Sequence, residues 1–108
     1  MTRKVALKKI KQVELIVLRD EIINYMETLN GNVKRNYIDS IIFMDIALKL
    51  YYSLRNKVES CNVVTSITLP ISYAGVLLKV CQEHNDVNDY SKNVFLKYAA
   101  VIDQQLKS

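Results

Sequence analysis

Chemistry in a chain needs a tunable base, a nucleophile, a metal-binding cluster or concentrated charge, and few residues here qualify. His84 is the one histidine. It sits in the polar run QEHND, where it reads as a solvated residue near a helix C-terminus, favoured there by the helix dipole. The competing reading makes it a base or ligand beside Glu83 and Asp86. A lone histidine without Cys or carboxylate partners at metal-type spacing does not complete a zinc site. Cys81 lies three residues before His84, so a thiol and its base would share a helix face. Cys81 instead continues the apolar stripe of Ala74, Leu77 and Leu78, and a buried thiol with no cationic neighbour is inert. Cys61 has no acid–base neighbour pattern. Neither glycine belongs to a phosphate-cradling loop: Gly31 reads as a left-handed helix cap, and Gly75, next to Ala74, as the site of a close helix crossing. No catalytic residue, metal ligand or cofactor is expected, and the chain reads as non-enzymatic.

Two charged features remain. The start, MTRKVALKKIK, carries Arg3, Lys4, Lys8, Lys9 and Lys11 with no acid before Glu14. On a helix Lys4, Lys8 and Lys11 form a basic ridge, able to bind nucleic-acid phosphates without reading sequence; the plainer reading is a solvated face. The second feature is Asp45, set in the apolar run SIIFMDIALKLYYSL. Lys49 lies four residues later in the acid-before-base orientation that favours a helical ion pair, with its stem along the apolar face and its ammonium in water. The alternative is a carboxylate that sets specificity or register against another chain.

The elements that would position these residues follow from apolar periodicity. Leu15, Leu18, Ile22, Met26 and Leu29 recur at three- and four-residue steps and extend a first helix over about 4–29. A second, about 33–60, is apolar nearly all round, from Tyr37, Ile38, Ile41, Ile42 and Ile46 to Leu48, Leu50, Tyr51, Leu54 and Val58, and so needs cover on several sides. CNVVTSITL reads as a connector with some extended character. Thr68 is the expected N-cap and Pro70 is suited to the first turn of a third helix, about 69–83. A fourth, about 87–107, carries Val87, Tyr90, Val94, Tyr98, Val101 and Ile102, with Asp86 or Asn88 as cap. Of the tyrosines, Tyr37, Tyr51, Tyr90 and Tyr98 fall on core stripes, Tyr52 and Tyr73 outside them.

With 108 residues, two glycines and one proline, this is an expected all-α, single-domain bundle of about four helices, two long and two shorter, spanning 1–108. The run LIVL is too short to span a membrane, no signal-peptide pattern is present, and two cysteines do not make a disulfide scaffold. A reduced, cytoplasmic protein is expected. The net charge of +4 is mild, and the Lys, Asn, Ile and Tyr bias resembles that of AT-rich phage or mobile-element genes. The long pair carries more apolar surface than two short helices cover. A homo-oligomer and a protein partner are therefore expected, through Ile42, Ile46, Leu50 and Leu54 with Asp45 or Arg55 setting specificity. The expected role is a small helical regulator or adaptor of inhibitor, immunity or accessory-subunit type, and the alternative is a basic subunit of a nucleoprotein complex.

Overall fold

The computed structural model describes residues 4–32, 37–60, 63–83 and 88–107. In chain order they form β1 (Lys4–Lys11), α1 (Gln12–Asn32), α2 (Tyr37–Ser60), β2 (Val64–Pro70), α3 (Ile71–Gln82) and α4 (Asp89–Leu106). The described residues are thus mostly helical, with four helices as expected, but they add a small antiparallel sheet of β1 and β2.

The sheet corrects the reading of 4–29 as one helix. Residues 4–11 are a strand, and Lys4, Lys8 and Lys11 are not a helical ridge. Apolar rather than charged spacing decides the element, and the apolar spacing is disguised by a bulge. Leu7 pairs with Ile67 and Ile10 with Thr65, three steps along β1 against two along β2. In a regular strand Ile10 would face away from Leu7. The extra residue returns it to the inner face, so that Val5, Leu7 and Ile10 are all fully buried. Lys9 takes the positive φ this requires, 56°. That conformation costs about 1–2 kcal/mol, and burying an isoleucine returns about 1.5–3 kcal/mol. The connector's extended character is β2, which holds Thr68, so Thr68 is no helix cap; Pro70 takes the N-cap position of α3 without a capping side chain.

One core runs through every element. The inner sheet face (Val5, Leu7, Ile10, Ile67, Leu69) meets Leu15, Leu18 and Ile22 of α1, Ala47, Leu50 and Leu54 of α2, Ala74, Leu77 and Cys81 of α3, and Val94, Phe95, Tyr98 and Ile102 of α4. The helix stripes read from periodicity largely supply it; Phe95 is an addition, while Tyr90 is half exposed. α1 and α2 lie antiparallel, since the Gln12 side chain donates to the Val58 carbonyl at 3.1 Å. α1 continues through Gly31 to Asn32, and no described glycine has a positive φ, so Gly31 is no left-handed cap. A Cβ at Gly75 would meet nothing within 4 Å, so no close crossing occurs there. Asn88 caps α4 as expected, its Oδ1 accepting from the Tyr90 and Ser91 amides at 2.8 and 3.3 Å. No helix among the described residues is long and apolar enough to cross a membrane.

Candidate functional site

The carboxylate with the densest surroundings is Glu14. With Lys11 as the last residue before α1, Glu14 stands at the third helical position, and its Oε1 accepts the Lys11 amide at 2.9 Å. This is the carboxylate half of a capping box. Oε1 also accepts the Tyr98 hydroxyl at 2.7 Å, and Oε2 the Lys97 ammonium at 3.1 Å. Burial alone would raise the Glu14 pKa; the three donors outweigh it and hold the carboxyl below its ordinary value. Tyr98 is raised by burial and by its bond to Glu14. Every carboxylate oxygen is engaged, so the cluster is a clamp joining the β1–α1 corner to α4. A second clamp lies beside it: the Gln105 side chain accepts from the Ala6 amide at 2.9 Å and donates to the Ala6 carbonyl at 2.7 Å, closing the outer edge of β1.

The other chemistry-bearing residues separate. Cys81 is buried, and desolvation, then the charge of Glu21, pushes its thiol up to about 12, which suits an inert core residue. Arg3, Cys61, His84, Asp86 and Val87 lie outside the described residues. No cluster of three or more His, Cys, Asp or Glu suited to a metal occurs among the described residues. The Tyr25 hydroxyl is buried without a hydrogen-bond partner among the described residues, and desolvation followed by the charge of Glu83 raises its pKa.

The strip Ile42, Ile46, Leu50, Leu54 does not form one surface. Ile42 is 51% exposed, Ile46 is partly buried, and Leu50 and Leu54 are fully buried against the protein's own core. The reason is geometric: steps of four overshoot a 3.6-residue turn by about 40° each, so the strip winds from the outer to the inner face. The outer face instead follows alternating steps of three and four through Ile38, Ile41, Asp45, Leu48 and Tyr52. That spacing keeps one side of a helix in register with a partner helix. It was present in the sequence, masked by a helix apolar on every side. Ile38, Ile41, Leu48 and Tyr52, with Ile42 at their flank, are 42–58% exposed. Asp45 and Lys49 form the expected ion pair at 3.0 Å, in which the hydrogen bond from Lys49 and the charge of Asp45 raise the lysine pKa. Arg55 pairs with Glu59 at 3.2 Å beyond the apolar stretch.

Two other surfaces accompany this stripe. Lys4, Lys8, Lys9 and Lys11 are all exposed on β1, and none has an acidic partner within ion-pair distance among the described residues. Between the C-terminal part of α2 and β2 lies a groove of about 320 Å³, lined by Ser53, Asn56, Lys57, Ser60 and residues Ile67, Thr68, Leu69 and Pro70. Comparison with protein-family models, curated proteins and solved structures finds no match for this chain.

Proposed function

We propose that the protein is a non-enzymatic helical regulator or adaptor that docks another chain on the outer face of α2 and self-associates through that face. The supporting observation is the exposed run of Ile38, Ile41, Ile42, Leu48 and Tyr52 on one side of one helix. Contiguous apolar patches of this kind mark interaction sites more often than bare monomer surface. The Asp45–Lys49 pair within it supplies polarity without acid–base chemistry, since each charge is neutralised by the other. The test is sedimentation of the purified chain over a concentration series. Wild type is expected to assemble, and Leu48→Glu to remain monomeric with unchanged far-UV circular dichroism. A wild type that stays monomeric, or an assembly indifferent to Leu48→Glu, overturns the self-association.

A second reading has its own observation, the row of exposed lysines on β1 with no acidic partner among the described residues. Lys8 and Lys9 are adjacent, exposed cations at the bulge, and one phosphate backbone could contact both. Binding of a labelled duplex should weaken steeply with salt, with a log–log slope of roughly 0.9 per phosphate contacted. Lys8→Glu/Lys9→Glu should abolish it, and absence of binding at low salt removes this reading.

A further inference from the structure

The outer stripe of α2 has a charge pattern that specifies its occupant. The Asp45–Lys49 couple stands at the centre, flanked by Ile38, Ile41 and Ile42 on its N-terminal side and by Tyr52 on its C-terminal side. Acid and base are thus arranged along the helix axis within one apolar face, and both side chains are more than half exposed. We infer that α2 packs antiparallel against α2 of a second copy of this chain, about a two-fold axis at the level of Ala47. Asp45 of each copy then faces Lys49 of the other. The inference rests on the outer stripe being a docking face, and it names what docks there.

A two-fold interface must be complementary to itself. About an axis level with Ala47, Asp45 exchanges with Lys49, Ile42 lies level with Tyr52, Ile41 with Ser53 and Ile38 with Asn56. Charge therefore meets opposite charge, and no isoleucine of the stripe is set against a charged side chain. Axes centred on either charged residue fail on the charges. An axis level with Asp45 sets Asp45 on Asp45, and one level with Lys49 sets Lys49 on Lys49. A parallel pair does both at once. Like-charge contacts within an interface act against the wrong register, and opposite charges favour the right one. A polar residue at a single position of an apolar seam is a known means of fixing register.

The stripe from Ile38 to Tyr52 is about 21 Å long. One helix pair of that length lies at the small end of specific interfaces, below roughly 1,200 Å². The dimer is consequently weak, dissociates on dilution and loosens as salt screens the paired charges.

Asp45→Lys and Lys49→Glu, alone and combined, test the register by sedimentation of the full-length chain at low salt. Each single variant is expected to weaken the dimer about tenfold or more, because two attractions become two repulsions. The combined variant, with the charges exchanged, is expected to regain the wild-type association within about threefold. Mixing the two single variants is expected to yield a heterodimer tighter than either homodimer. That outcome is not produced by an effect on helix stability within a chain, since each variant carries its own like-charged pair. Both sites are exposed, so circular dichroism should show the fold intact. Dimers dispersed by Leu48→Glu yet unmoved by the charge variants overturn the register while leaving the docking face standing. A single variant without effect, or a combined variant no better than the singles, overturns the inference as well.

Discussion

The two sides of α2 are built from the same residue types and do different work. On the inner side Ala47, Leu50 and Leu54 are fully buried, where α2 packs against α1 and α3. On the outer side Ile41, Leu48 and Tyr52 are about half exposed around an acid–base pair. A leucine two residues from another leucine therefore answers to a different requirement. Leu50 is held by the monomer's packing, whereas Leu48 lies outside it. The difference teaches that an all-round apolar helix carries two separable seams, and that the angular drift of steps of four is enough to confuse them.

Substitutions that act on one seam alone sharpen this contrast. The largest effect belongs to the inner side. Leu54→Ala leaves a cavity at a site with no exposure, and should lower unfolding free energy by about 2–5 kcal/mol in denaturant titration. Leu50→Glu should prevent folding, and so it reports nothing about association.

A smaller loss is expected at the clamp that holds α4 to the start of α1. Tyr98→Phe removes one of the donors to Glu14 and should cost about 1–3 kcal/mol. It should also change the acid limb. A carboxyl whose folded pKa is depressed adds stability that is present above its unfolded pKa and is lost as pH falls through the folded one. Without the tyrosine the depression shrinks, so the Glu14 contribution should disappear at higher pH than in the wild type. A variant with an unshifted acid limb would place the clamp's strength in Lys97 and the Lys11 amide instead.

The smallest stability effect is expected on the outer side. Leu48→Glu should alter monomer unfolding by no more than about 0.5 kcal/mol, as an exposed substitution does, while dispersing the assembly. If Leu48→Glu destabilised the monomer as much as Leu54→Ala, the two-seam distinction would break.

Much of the architecture was legible in the residues. The stripes Leu15–Leu18–Ile22, Ala74–Leu77–Cys81 and Val94–Tyr98–Ile102 fall at helical spacing, and all are buried. Asn88 carries the capping chemistry its position required. The Asp45–Lys49 pair followed from spacing alone, because an i to i+4 contact needs nothing beyond the helix that holds it. Glu14 was not legible as a cluster. Its partners Tyr98 and Lys97 lie more than eighty residues away, and its capping role depends on where α1 begins.

Local periodicity and composition are enough to set four helices, one of their caps, and an excess of apolar surface on α2. The tertiary structure alone decided that residues 4–11 form a strand. A short, bulged strand has no sustained alternation of its own and is defined by β2, more than fifty residues further on. It also decided which side of α2 stays in water. A helix apolar on every side has no internal preference for either face; α1 and α3 pack on the side of Leu50 and Leu54, and what stays exposed is Ile41, Leu48 and Tyr52.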